Sequence, residues 1–154
     1  EVGLPVVVHS RDAHDDVLHI LRDWAKSPPC PSGASPPRAG RTEGGRHGVL
    51  HSYAAGPERL EEALEMGFYI GISGPVTFKN AEQLRAVAAA VPLDRLLIET
   101  DCPYLTPEPY RGKRNEPAYV RYVAQAIARA RGVSEEIVAQ ATVDNARRLF
   151  GIDG

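Results

Sequence analysis

A parallel α/β fold is predicted, and three observations predict it. Four short aliphatic runs recur along the chain, each followed by a segment with apolar residues at helical spacing. The runs are continuous rather than alternating, as strands buried on both faces require. Three of the four end in His9, His51 or Asp101, so polar side chains recur at one topological position. Strands alternating with helices imply right-handed βαβ units. Two architectures share that pattern, a doubly wound open sheet and a (β/α)8 barrel. No glycine-rich phosphate fingerprint follows any strand, which weighs against a nucleotide-binding doubly wound sheet. Four βα units make half a barrel, which takes about 250 residues when complete.

The first strand is Pro5-Val6-Val7-Val8, ending at His9. Asp12 is placed to cap the next helix, with Asp15 and Asp16 in its first turn and Val17, Leu18, Leu21 and Trp24 as its apolar stripe. Residues 26–48 hold five prolines and five glycines and lose both periodicities, so they are expected to form a Pro/Gly-rich surface insertion. A second strand, Val49-Leu50, ends at His51. Pro57 then suits a first helical turn, Leu60, Ala63 and Leu64 continue the stripe, and Gly67 suits the C-terminal cap. Residues 68–72 form the third strand. A helix from Asn80 carries Leu84, Val87, Ala88 and Val91, and Leu96-Leu97-Ile98 forms the fourth strand, running into Glu99-Thr100-Asp101. After a proline-rich loop, Pro117 opens a helix with Val120, Val123, Ala124 and Ile127. The last helix runs from a Ser134 cap to Gly151.

The chain has 154 residues, 43% hydrophobic and 25% charged, with a formal net charge of −2. That balance excludes disorder as a whole-chain reading and leaves no general polyanion-binding coat. No apolar run approaches the roughly 18 residues of a membrane span. Cys30 and Cys102 form neither a CxxC pair nor a disulfide framework, which suits a reducing, cytoplasmic setting. The only methionine is Met66, and the chain opens directly ahead of a strand, so it is expected to be the C-terminal part of something longer.

Two imidazoles and a carboxylate suit zinc, manganese or a similar divalent ion. His9, His51 and Asp101 are too far apart in the chain to bind an ion locally. They can do so only if the fold gathers the strand ends, as the C-terminal face of a barrel does. Glu99 lies two residues before Asp101 and so faces the same side of the strand, which suits a supporting role toward the ligands. Cys102 is expected to be a small side chain beneath the loop.

Six segments carry a resemblance: His9-Ser10-Arg11-Asp12-Ala13, His51-Ser52-Tyr53, the run from Ser73-Gly74-Pro75 to Asn80, Glu99-Thr100-Asp101-Cys102-Pro103-Tyr104, Arg111-Gly112-Lys113-Arg114-Asn115-Glu116-Pro117, and Asp144-Asn145-Ala146-Arg147-Arg148-Leu149-Phe150. In that order they resemble the TatD family of metal-dependent deoxyribonucleases. The resemblance implies a TIM (β/α)8 barrel of the metal-dependent hydrolase type, with one or two divalent ions (zinc, magnesium or manganese) in a complete site. It implies that His9 ends the fifth barrel strand and His51 the sixth as metal ligands. Asp101, ending the eighth, would both bind metal and take the proton of the attacking water. Family members also carry an H-x-H on the first strand and a glutamate on the fourth, and neither can be placed here. Residues 1–154 are thus expected to be the C-terminal portion of one barrel domain, strands 5–8 with their helices, with an incomplete centre.

The activity implied is cleavage of DNA phosphodiester bonds. Its rivals are hydrolysis of C–N or ester bonds on the same barrel, and a catalytically incomplete remnant. For an anionic substrate, Arg11, Arg111 and Arg114 are the phosphate-binding candidates, and Tyr104 can stack on a base. DNA is the expected partner, with no membrane. Open sheet edges favour self-association or pairing with a missing N-terminal half.

Overall fold

The computed structural model describes residues 4–26 and 47–152. Four strands form one parallel sheet, β1 (Val6–His9), β2 (Gly48–His51), β3 (Tyr69–Ile72) and β4 (Leu96–Ile98). Among the described residues five α-helices accompany them: α1 (His14–Lys26), α2 (Leu60–Glu65), α3 (Glu82–Ala90), α4 (Val120–Arg131) and α5 (Glu135–Phe150). Of the expected insertion at 26–48, residues 27–46 lie outside the described residues. Lys26 closes α1 and Gly48 opens β2.

Strand order distinguishes the two architectures. A doubly wound sheet reverses direction at a switch point, whereas this sheet runs β1-β2-β3-β4 in chain order. Each strand pairs with the next, His9 opposite His51 at one end and Ile72 opposite Ile98 at the other. Leu50, Ile70, Ile72 and Leu96 share one core with Leu18 and Leu21 of α1, Leu60 and Ala63 of α2, Val87 of α3, and Val123 and Ile127 of α4. One face of the sheet therefore carries the helices, as in a barrel wall. Ile70, Ile72 and Leu96 are fully buried, and each contributes about 1.5–3 kcal/mol relative to exposure.

The other face is covered differently. Val49, Tyr69 and Leu97 lie there under Leu149 and Ala146, from the end of α5. Toward β1 that cover stops. The expectation of burial on both faces holds for β2 and β3 but not for β1, where Val7 is 61% exposed while Val6 and Val8 pack against the helices. The reason is position: among the described residues β1 pairs on one side only, and none covers its second face.

Helix ends follow local chemistry. Ser134 caps α5 by accepting from the Ile137 N–H, and Gly132 and Gly151 end α4 and α5 in the left-handed conformation. Pro57 and Pro117 each open a short 3₁₀ turn ahead of their helices. Asp12 does not cap α1: it takes a φ of 54° and the helix begins at His14, with the Val17 N–H bonded to the Ala13 carbonyl. No helix among the described residues is long and apolar enough to cross a membrane.

Asn145 latches α5 to the start of β4. It is 1% exposed, its Nδ2 donates to the carbonyls of Leu93 (2.7 Å) and Leu96 (2.8 Å), and its Oδ1 accepts from Arg148. Replacing it by alanine strands the buried Leu96 carbonyl and leaves the part-buried Leu93 carbonyl without this donor. Asn145→Ala is expected to lower unfolding free energy by about 2–3 kcal/mol in a urea titration. A loss below about 0.5 kcal/mol would show that water replaces the latch.

Candidate metal and hydrolytic site

Strand alternation decides which side chains meet. Leu50, Ile70, Leu96 and Ile98 point toward the helices, so His51, Gly71 and Glu99 fall on the opposite face near the C-terminal strand ends. His9, at the end of β1, is exposed on the same rim. Its ring centroid lies 5.8 Å from that of His51, with the planes tilted by 41°.

His51 is the centre of the arrangement. Its Nδ1 lies 3.0 Å from Glu99 Oε1 and its Nε2 lies 2.8 Å from Asp101 Oδ1. Glu99 follows β4 and His51 ends β2, with β3 between. Strands two apart are separated by about 10 Å, so Glu99 has to reach across its neighbour. Gly71 makes this feasible: a Cβ there would stand 2.6 Å from Glu99 Oε1. The cross-strand contact therefore needs a residue without a side chain.

Ser52 closes the arrangement from the other side. Its φ of 48°, unusual for a residue with a Cβ, aims its N–H at Glu99 Oε1. Its hydroxyl donates to Asp101 Oδ2 at 3.2 Å and lies 2.6 Å from the hydroxyl of buried Ser73. With the Ser52 proton on Asp101, Ser73 is the donor in the second bond. Both carboxylates are thus fixed in direction.

These contacts set the charges. Burial alone would lower the His51 imidazole, but the hydrogen bond with Glu99 and the charges of Glu99 and Asp101 outweigh it and raise it above its ordinary value. Burial pushes the Glu99 carboxyl upward, against the lowering by His51 and the Ser52 N–H. In its charged form His51 donates from both ring nitrogens, one to each carboxylate.

Asp101 leads into the loop at 102–116, which is braced over the ends of β3 and β4. Asn115, 2% exposed, donates to the Tyr104 carbonyl at 2.6 Å, and its N–H reaches the Pro103 carbonyl. The Glu108 N–H donates to Thr77 Oγ1 at 2.9 Å, and Thr106 to the Lys113 carbonyl. Gly74 passes so near Leu105 that a Cβ would stand 2.1 Å from its carbonyl oxygen. Cys102 is exposed rather than beneath this loop, because the chain turns outward immediately after Asp101.

The structure therefore brings His9, His51, Glu99 and Asp101 to one rim. The cationic candidates do not join them in direct contact. Arg11 and Arg114 are exposed, Arg114 beside a hollow lined by Cys102, Pro103 and Asn115. The Arg111 guanidinium lies 4.1 Å from the centroid of the Phe78 ring, and Tyr104 is 73% exposed. Sequence reasoning assigned nothing to Gly71, Ser52 or Ser73. A glycine inside a strand is a signal of close approach, and Ser73 is the first residue after β3.

Two imidazoles and a carboxylate at one rim have the donor chemistry of a divalent-metal site. The Glu99–His51 contact has the form of the carboxylate–imidazole pairing found at many metal sites. The residues thus fit such an ion in kind. Among the described residues no three His, Cys, Asp or Glu side chains form a group arranged to hold one. His51 and the carboxylates satisfy one another instead.

Known proteins resemble this chain in sequence and in fold. The chain matches the TatD related DNase family over residues 1–151. It is 50% identical over 153 residues to YcfH of Escherichia coli strain K12, an uncharacterized metal-dependent hydrolase, covering 99% of this chain and 51% of that protein. It is 36% identical over 158 residues to the 3′-5′ ssDNA/RNA exonuclease TatD of Klebsiella pneumoniae strain 342, covering 99% and 54%. Among solved structures, YJJV, a TatD homolog from Escherichia coli K12, superposes with a TM-score of 0.79 at 28% identity, over 97% of this chain and 51% of that one. The chain spans about half the length of the curated relatives it matches. A match over nearly every residue, together with the barrel-wall sheet order, shows that this chain belongs to the TatD related DNase family.

Proposed function

We propose that the chain is the C-terminal half of a (β/α)8 barrel and supplies one side of a divalent-metal centre that hydrolyses nucleic-acid phosphodiesters. The observation that carries this reading is His51 held between Glu99 and Asp101, with His9 beside it, at the C-terminal rim of consecutive parallel strands. That rim is where barrel enzymes build their sites. The half-barrel reading draws support from the one-sided pairing of β1 and β4 among the described residues and from the exposure of Val7. An edge of this kind seeks a partner, so the chain alone is expected to self-associate or pair with the other half.

In this reading His9, His51 and Asp101 hold the ion. The chemistry an ion of this kind supplies is Lewis acidity, at the attacking water and at the phosphoryl oxygen. Glu99 keeps the His51 ring turned so that Nε2 faces the site. Asp101, steadied by the Ser52 hydroxyl, takes the proton of the attacking water as a general base. Arg11, Arg111 and Arg114 hold the anionic backbone, and the exposed Tyr104 ring stacks on a base. The nucleic-acid substrate is inferred from the Klebsiella relative, which is named as an exonuclease of single-stranded DNA and RNA.

The test is hydrolysis of an end-labelled single-stranded oligonucleotide by the complete polypeptide that carries this chain. Cleavage is expected with manganese or zinc, to stop on chelation, and to fall at least about tenfold in His51→Ala. Cleavage that ignores both the chelator and the substitution overturns the reading. So does hydrolysis of small amides or carboxylic esters in preference to the oligonucleotide.

A further inference from the structure

The strand ends opposite the hydrolytic rim enclose a second polar hollow, of about 190 Å³. His47, Gly67 and the Asp94–Arg95 pair lead into β2, β3 and β4 and form one side of it. Arg148 and Leu149, in the last turn of α5, form the other. The hollow stands a strand's length, about 10 Å, from His51 and shares no residue with the rim site. There is free space at Gly67, where a Cβ would meet nothing within 4 Å.

Two arginines give this hollow its positive charge, and one latch holds their elements together. Arg148 donates to Asn145 Oδ1 at 2.9 Å, while Asn145 Nδ2 bonds the carbonyls of Leu93 and Leu96, on either side of Arg95. The Arg95 guanidinium lies 5.4 Å from the centroid of the Tyr69 ring, and among the described residues no oxygen accepts from it. Asp94, which is exposed, offsets one of the two charges. Tyr69 also lines the hollow and is 4% exposed, yet its hydroxyl has no hydrogen-bond partner among the described residues. Buried phenols usually find a partner. An orphaned donor thus lies beside two guanidinium forks.

Guanidinium forks match the paired oxygens of phosphate and carboxylate groups. A carboxylate or a phosphodiester has only two unesterified oxygens, and two forks with a phenol offer more donors than these can use. A phosphate monoester or free phosphate presents at least three. We propose that this hollow binds such a phosphate group, held by Arg95, Arg148 and the Tyr69 hydroxyl. The site is separate from the rim and stands whether or not the rim cleaves phosphodiesters.

The test is calorimetric titration of inorganic phosphate and of ribose 5-phosphate into the complete polypeptide that carries this chain, in EDTA, with amide NMR shifts to locate the ligand. Saturable binding of at least one, shifting the Gly67 and Tyr69 amides, is expected. The tighter of the two shows whether the phosphate is taken free or esterified. Arg95→Gln breaks no hydrogen bond among the described residues and is expected to weaken binding about tenfold, with Tyr69→Phe costing about threefold. Arg95→Lys, which keeps the charge without the fork, is expected to fall between the parent and Arg95→Gln, and it decides the matter if Arg95→Gln disturbs the unliganded spectrum. No saturable binding up to about 20 mM, shifts confined to the rim, or affinity unchanged in both Arg95 variants overturns the site.

Discussion

Asp101→Asn is expected to cut hydrolysis of the oligonucleotide by about 10²–10⁴-fold in the complete polypeptide, with the fold intact. Asparagine keeps the size of aspartate and can still accept from the Ser52 hydroxyl, so the loop that starts at Cys102 keeps its anchor. What it loses is the negative charge facing His51 Nε2 and the basicity needed to take a proton. The effect should therefore appear in kcat, with the urea midpoint moving little. A variant retaining more than about a tenth of parental kcat would remove Asp101 from the proton-transfer role, whatever its part in holding an ion.

The second large effect is expected from a residue that performs no chemistry. Gly71→Ala places a methyl group 2.6 Å from Glu99 Oε1. The atom it meets is the end of a flexible side chain, so the sheet need not move. Glu99 must swing away instead, and it then loses both His51 Nδ1 and the Ser52 N–H. Loss of such a supporting carboxylate typically costs about 10–100-fold in metal affinity or activity. Gly71→Ala is thus expected to lower metal affinity by that factor, read by titration calorimetry with manganese, and Glu99→Ala should match it. If Gly71→Ala binds as the parent does while Glu99→Ala does not, the carboxylate has another route to His51 and the gap in β3 is incidental.

These two residues show where the sequence was legible. His9 and His51 stand out because each ends a run whose length and branching mark a strand, and Asp101 because it follows the Leu96–Ile98 run by three residues; position relative to one's own strand is a local property. Glu99 was placed on the side of Asp101 by the same period of two. The strand segments were readable for the same reason, with β4 matching its run at Leu96–Ile98. The cap at Ser134 and the stop at Gly151 also depend only on near neighbours. Local reading failed at Asp12, where the choice between a cap and a left-handed turn depends on how the chain leaves β1.

What the sequence by itself determined was four strands, their helices, and one chemically active residue near the end of three strands. Only the tertiary structure decided that the strands lie in chain order, that β1 leaves Val7 uncovered, and that Glu99 crosses β3 to reach His51. It also decided that Ser52 and Ser73 direct the carboxylates and that Arg95 and Arg148, from two elements, line one hollow. The physical reason is separation along the chain. Periodicity records which way a side chain leaves its own backbone, whereas the gap at Gly71 and the meeting of residues 51, 99 and 101 exist only once neighbouring strands share a register.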